Sequence, residues 1–356
     1  MTSNTQTKLK IEKIKQSKLP QVDLSNLVFG KVFTDHMFLL DYVDGTWQTP
    51  RIMPYQALPY EPSAKVFHYG QAVFEGMKAY KDKDGNVFLF RPEENFERIN
   101  RSAARLGMPE IPKEYFMEGL TTLVSMDSDW IPTGDGESLY LRPVYIATEN
   151  AVAASPSTSY RLMIMASPAQ KYYSGEVKVK IEDKYSRSCD GGVGFAKAAG
   201  NYAAQFYPTE KAKAEGFLQI IWTDSKEHKY VEEAGTMNMF FRIGDKLLTA
   251  PTSERILPGI TRKSILQLAE DNGIDFEVRP VEVAEIIDAA KNGNLKEIFG
   301  AGTAATILPI IGVKYKDYYT DLPEVKNSYA DRLKKMLMDI QYNKVNDPYG
   351  WRVKVK

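Results

Sequence analysis

Cysteine is nearly absent from this chain. Cys189 is the single one in 356 residues, so no disulfide can form within the chain, and the composition fits a reducing compartment. Histidine is scarce too. His36, His68 and His228, taken with Cys189, stand at no metal-ligand spacing, which argues against a zinc site. No charge of one sign prevails: 46 Lys+Arg face 46 Asp+Glu. The basic excess that nucleic acid or an anionic membrane calls for is therefore missing. No apolar run is long enough to span a bilayer, and there is no internal repeat or low-complexity segment. The opening MTSNTQTKLKIEKIKQSKLP holds five lysines, no arginine and no apolar core. It reads as the frayed basic start of a cytoplasmic protein, not as a signal or transit peptide.

What is present points to a globular protein. The hydrophobic share is 43% and the charged share 26%, both ordinary for a packed domain. The length exceeds what one core usually covers, so two domains are expected. A flexible segment, 1–25, precedes a smaller α+β domain at 26–166. A connector, 167–176, is rich in Pro, Gly and Ser, and a larger mixed domain follows at 177–356.

Local patterns support this division. Residues 26–50 alternate like a hairpin with Asp44-Gly45 at its bend, and AYKDKDGNVFLFR repeats that grammar around Asp84-Gly85. RPEENFERINRSAARLGMPEIP reads as a helix, with Pro92, Glu93 and Glu94 in its first turn and Gly107 as its stop. EYFMEGLTTLVSM is a second helix; SLYLRPVYIATE and YRLMIMASP are strands. Beyond the connector, strands (VKVKIED, FLQIIWTD, FFRIGDKLLTA) mix with helices (TRKSILQLAEDNG, VEVAEIIDAAKNG), both helices stopping at Asn-Gly.

One lysine is out of character. In GVGFAKAAGNYAAQF, Lys197 sits among small residues, and its nearest acids along the chain are Asp190 and Glu210. Either it is a stray charge on a surface loop, or it stands where a ligand comes to it. An amine can join a carbonyl cofactor, and pyridoxal phosphate is the one that suits a lone lysine. That cofactor needs an acid beside its ring nitrogen and backbone N–H groups for its phosphate. Glu233, before the small turn Ala234-Gly235-Thr236, is a candidate acid, although a solvated pair with Glu232 is the commoner meaning of such a sequence. Pro258-Gly259 followed by Ile260 and Thr261 opens a helix whose first N–H groups can bind an anion. Gly300, Gly302 and Thr303 offer a second, weaker cradle. Arg98 is either a phosphate ligand or a surface ion pair with Glu94. Tyr140 and Arg142, two apart on a strand, share one face, and an arginine on an apolar or aromatic face is costly unless paired or used.

Taken in order, FGKVFTDHMF, FHYGQAVFEGMKAY, ENFERINRSA, SLYLRPVYIATE, AKAAGNY, EEAGTMNMFF, LPGITRKSIL and GAGTAATILP resemble the branched-chain amino acid aminotransferases, fold-type-IV pyridoxal phosphate enzymes. The resemblance runs from about Phe29 to the C-terminal DPYGWRVKV. It implies a homodimer with a shared active site that moves amino groups between leucine, isoleucine or valine and 2-oxoglutarate. It implies that Lys197 carries the cofactor and shuttles the proton at the substrate Cα. By the same likeness Tyr202 bonds the phenolic oxygen and Glu233 the pyridinium nitrogen, while Arg98, Ile260, Thr261 and Thr303 hold the phosphate. Tyr69, Phe74, Tyr140 and Tyr172 resemble the walls of the substrate pocket. The Thr303 and Ala304 amides resemble the α-carboxylate site, and Arg142 the polar end that admits glutamate. Tyr69 and the loop near Val152 to Ala154 would complete the partner's pocket. Mammalian members carry a Cys-x-x-Cys where this chain has Ala305 and Leu308, so thiol regulation there is excluded. A D-amino acid transaminase or aminodeoxychorismate lyase resembles the FTDHMF and GTMNMFF segments less. A non-catalytic binding protein would not be expected to keep Lys197, Tyr202 and Glu233 together.

Overall fold

A computed structural model of the chain describes residues 9–170 and 176–356. Tyr172 and the 171–175 part of the connector lie outside the described residues. The chain divides into two compact units, one holding 9–170, 196–199 and 340–356, the other 176–195 and 200–339. The expected second domain, 177–356, was contiguous. The structure assigns its last stretch and the four residues around Lys197 to the first unit. The reason at the C-terminus is strand pairing: Arg352–Lys354 runs antiparallel to Val87–Phe90 and extends the first unit's sheet.

That sheet has ten strands among the described residues. Its axis is the antiparallel pair Ser138–Ala147 and Tyr160–Ala169, in register from Ser138 opposite Ala169 to Ala147 opposite Tyr160. His36–Val43 flanks one side. On the other side Ala72–Phe74 and Met77–Lys81 both pair with the 138–147 strand, leaving Glu75 and Gly76 as a break between them. The hairpin at Asp44-Gly45 forms as expected, with φ of 51° and 74°, the left-handed pair that matches the twist of two antiparallel strands. Pro92–Arg105 begins with proline in its first turn and Glu93 and Glu94 at its positive end. It buries Phe96, Ile99 and Ala103, and Lys113–Met126 buries Phe116, Leu120 and Leu123 in the same core. Leu139 and Leu141 join that core, so the alternation along the strand turns Tyr140 and Arg142 to the opposite face.

The second unit is an eleven-stranded mixed sheet among the described residues. Tyr230–Ala234 and Met237–Ile243 form a tight hairpin, with Ala234 opposite Met237. Leu295–Gly302 runs antiparallel to Met237–Ile243 over its length. Glycine is needed in that crossing: a Cβ on Gly300 would lie 2.6 Å from Met237 Sδ, and one on Gly302 would lie 2.8 Å from the Thr236 carbonyl oxygen. The helices Ile260–Asp271 and Val283–Lys291 both end before an Asn-Gly whose glycine has positive φ, the stop that the sequence indicates. Among the described residues, no helix is long and apolar enough to cross a membrane.

Candidate active site

Lys197 is held in the first unit by its own backbone. Its N–H donates to Ser102 Oγ at 2.9 Å, and its carbonyl accepts from the Phe74 N–H at 3.1 Å. Ala198 bridges antiparallel to Val73, so this small-residue segment is an added rung on the 72–74 strand. Small side chains permit that close approach. The Lys197 ammonium stands 4.8 Å from the Phe74 ring centre, and the Arg142 guanidinium stands 4.8 Å from the same centre. Two cations against one ring repel each other, and the site needs negative charge nearby.

Glu75 supplies it. The residue is wholly buried, and its carboxylate accepts from Arg98 Nε at 2.7 Å, Arg98 Nη2 at 2.8 Å and Asn95 Nδ2 at 2.7 Å. Burial by itself would raise the Glu75 carboxyl. The charge and hydrogen bonds of Arg98, with the charge of Lys197, outweigh burial and hold it below the ordinary carboxylate value. Along the chain the nearest acids to Lys197 are Asp190 and Glu210, whereas Glu75 comes from 122 residues away.

Arg98 is likewise not the surface partner of Glu94. It is 4% exposed, and Glu94 pairs with Arg91 instead, at 2.7 Å. Tyr140 and Arg142 do share a face, and Arg142 Nη2 donates to the Tyr140 hydroxyl at 2.9 Å. Arg142 Nε is buried with no hydrogen-bond partner among the described residues. Tyr69 ends the short helix Lys65–Tyr69, half exposed, and its hydroxyl donates to the Val152 carbonyl. At the other end of that helix, Lys65 is buried and donates to Glu149 Oε2, Ser155 Oγ and the Pro156 carbonyl. The 149–156 loop is thus pinned at both ends of one helical turn.

The second unit gathers the other candidates. Glu233 is buried on the 230–234 strand, and its Oε1 receives Arg187 Nη1 at 2.6 Å and the Leu257 N–H at 3.1 Å. Arg187 is itself buried, its Nη1 also donating to the carbonyls of Gly194 and Arg255, and sequence reasoning missed it. Glu232, one residue before, is buried as well and faces Arg255, whose Nε donates to it at 2.5 Å. The solvated Glu-Glu pair therefore does not exist. Alternation along the strand sends the two carboxylates to different arginines. Burial pushes the Glu232 carboxyl up to about 6, against the pull of Arg255.

Asn238, opposite Glu233 in the hairpin, donates to the Leu257 carbonyl at 3.0 Å. The turn before the helix Ile260–Asp271 is thus tied to both residues. Gly259 is the helix's N-cap, in extended conformation, and no side chain caps it among the described residues. The first-turn N–H groups at Ile260 and Thr261 therefore have no side-chain acceptor at the cap. Thr303 and Ala304 lie half-buried in the tight turn that joins Leu295–Gly302 to Thr306–Ile310. Tyr202 is half-buried in the second unit.

Each unit by itself carries donor chemistry that suits pyridoxal phosphate: the first an amine against an aromatic ring, the second a buried carboxylate held by an arginine and a helix start without a side-chain cap. No group of three or more His, Cys, Asp or Glu that could hold a metal ion is found among the described residues.

The family model for class IV amino-transferases matches residues 72–313. A Staphylococcus epidermidis protein named "Probable branched-chain-amino-acid aminotransferase" is 46% identical over 357 residues, covering 98% of this chain and 98% of that one. Among solved structures, the branched-chain aminotransferase of Thermoproteus uzoniensis with norvaline is similar at a TM-score of 0.74 and 23% identity, over 90% of this chain and 100% of that one. The PLP-form of the Thermobaculum terrenum branched-chain amino acid aminotransferase is similar at 0.72 and 20%, over 90% and 98%.

Proposed function

This chain belongs to the class IV aminotransferases, and we propose that it transfers the amino group of leucine, isoleucine or valine to 2-oxoglutarate, giving branched-chain 2-oxo acids and glutamate. The observation that carries the reading is the Phe74 ring with Lys197 and Arg142 each 4.8 Å from its centre. An amine and a guanidinium on one aromatic wall suit a pocket that must accept an aliphatic side chain and, in the other half-reaction, a carboxylate. Pyridoxal phosphate, when bound, supplies the electron sink that lets the substrate Cα give up its proton.

In this reading the chain's own residues bind, orient and move protons. Lys197 Nζ removes the proton from the substrate Cα and returns it on the other side of the transfer. Glu233, paired with the buried Arg187, would hold a proton on the ring nitrogen. Tyr202 donates to the phenolic oxygen. The Ile260 and Thr261 amides, Thr303 and Arg98 hold the phosphate, and the Thr303 and Ala304 amides hold the substrate α-carboxylate. Phe74, Tyr140, Tyr69 and Tyr172 exclude water from the aliphatic side chain, and Arg142 receives the side-chain carboxylate of glutamate. The reading includes a cytoplasmic homodimer in which Tyr69 and the Val152 to Ala154 loop serve the partner's pocket. Its support is the exposure of Tyr69, at the end of its helix, and of Val152, whose carbonyl accepts from the Tyr69 hydroxyl in a loop that Lys65 also bonds. The test is a panel of amino donors with 2-oxoglutarate as acceptor. Leucine, isoleucine and valine should turn over far faster than alanine, aspartate or D-amino acids, and a preference for any of the latter would overturn the reading.

A further inference from the structure

The break between the strands Ala72–Phe74 and Met77–Lys81 contains Gly76, and the Tyr140 hydroxyl lies directly against it. A Cβ built on Gly76 would overlap that hydroxyl oxygen and stand 3.0 Å from Tyr140 Cζ. Gly76 is not among the glycines with positive φ, so its backbone is one that any residue can adopt. What the position requires is room.

Tyr140 has little freedom to give way. It is 8% exposed, its backbone is fixed opposite Lys78 and Ser167 in the middle of the sheet, and Phe29 packs edge-on against its ring at 4.9 Å between centroids. Its hydroxyl accepts from Arg142 Nη2 at 2.9 Å, while Arg142 Nε has no hydrogen-bond partner among the described residues. The guanidinium lies over the rings of Tyr140 and Phe74, 5.3 and 4.8 Å from their centres. Ring faces attract a cation but leave it free to slide or turn, whereas a hydrogen bond fixes its direction. The direction of Arg142 is thus set by the Tyr140 hydroxyl, and the place of that hydroxyl is set by the missing side chain at 76.

We propose that Gly76 is a specificity-determining position: by leaving space for the Tyr140 hydroxyl it aims Arg142, and so sets the ratio in which the enzyme accepts glutamate and branched-chain substrates. The inference rests on the reading that Arg142 receives the glutamate side chain. Any side chain at 76 displaces the hydroxyl, turns the guanidinium and penalises glutamate. The aliphatic substrates need only the apolar wall and suffer less. Gly76 is a positioning residue here and touches no reacting atom.

The experiment is a double-mutant cycle on the holoenzyme with Gly76→Ala, Tyr140→Phe and the pair of them. Single-turnover colour change with glutamate and with leucine is measured separately, with thermal unfolding alongside. Gly76→Ala should lower the glutamate-to-leucine ratio of kcat/KM about tenfold, the scale of one misplaced hydrogen bond to a charge. Tyr140→Phe, which removes the same hydrogen bond without adding bulk, should shift the ratio in the same direction. The double variant should be no worse than the more affected single one, because both act through one hydroxyl. Equal losses for both substrates in Gly76→Ala, or strictly additive losses in the double variant, would overturn the inference. Should Gly76→Ala fail to fold, Tyr140→Phe decides alone, an unchanged ratio being the overturning result. Arg142→Met separates this inference from the reading beneath it. If Arg142→Met harms both substrates alike, the glutamate role of Arg142 fails; if it is selective while Gly76→Ala and Tyr140→Phe are not, only the role of Gly76 fails.

Discussion

Glu75 and Arg98 meet in a two-point ion pair, Nε to Oε1 at 2.7 Å and Nη2 to Oε2 at 2.8 Å, with the carboxylate wholly excluded from solvent. Removing one partner of such a pair leaves an uncompensated buried charge, which costs about 3–5 kcal/mol. Glu75→Ala should therefore lower the urea midpoint sharply, and Glu75→Gln, which keeps the shape and one acceptor, should lower it less. The pair also has a pH signature. The folded carboxyl titrates below its ordinary value, so its contribution is present above the unfolded pKa and is lost as the pH falls through the folded one. Acid unfolding of Glu75→Gln should accordingly be less steep than that of the wild type.

The same pair changes how Arg98 has to be tested. Arg98→Ala should weaken cofactor retention on dialysis about ten- to a hundredfold, as the loss of a charge-assisted hydrogen bond implies. Part of any loss will come from stranding Glu75. In the Glu75→Gln background, Arg98→Ala should still release cofactor faster than Glu75→Gln alone. Equal retention in those two variants would assign Arg98 to the ion pair and remove it from the phosphate site.

Glu232 carries a pH prediction of the opposite sign. Burial raises its carboxyl from 4.5 to about 6, so the fold favours its protonated form. Its favourable contribution is complete below the unfolded pKa and is lost as the pH rises through about 6. Relative to the wild type, Glu232→Gln should gain stability between pH 5 and pH 8 by on the order of 1–2 kcal/mol. Denaturant midpoints at the two pH values check it. A difference that does not change with pH would mean that Arg255 keeps Glu232 ionised throughout.

Glu233 should behave differently from its neighbour. Glu233→Gln keeps an acceptor for Arg187 and for the Leu257 N–H but loses the charge that would hold a proton on the ring nitrogen. Turnover should fall by a factor on the order of 10² or more while cofactor binding is largely kept. Glu232→Gln should lose much less, and a larger loss in Glu232→Gln would reverse the assignment of the two acids.

Much of this was legible in the sequence because it is local. Turn chemistry at Asp44-Gly45, proline at the head of the 92–105 helix and the Asn-Gly stops depend on residues a few positions apart. The shared face of Tyr140 and Arg142 depends only on the period of a strand. Glu75 was illegible for the opposite reason. In VFEGM it looks like a polar residue at a strand edge, and nothing nearby reveals that a helix 23 residues later delivers Arg98 to it. The residue types were all visible; a glutamate inside an apolar strand pattern is the signal that could have marked it. Arg187 was hidden likewise, its partner Glu233 lying 46 positions on. The strand Arg352–Lys354 escaped the domain boundaries because pairing between chain-distant segments leaves no mark in composition.

In the proposed function Lys197 bears pyridoxal phosphate. The direct measurement is borohydride reduction of the protein after incubation with pyridoxal phosphate, followed by mass spectrometry of its peptides. A single phosphopyridoxyl adduct is expected on Lys197, lost in Lys197→Ala together with the yellow colour and turnover while the unfolding transition is retained. An adduct on another lysine, or near-normal transamination by Lys197→Ala, would contradict it.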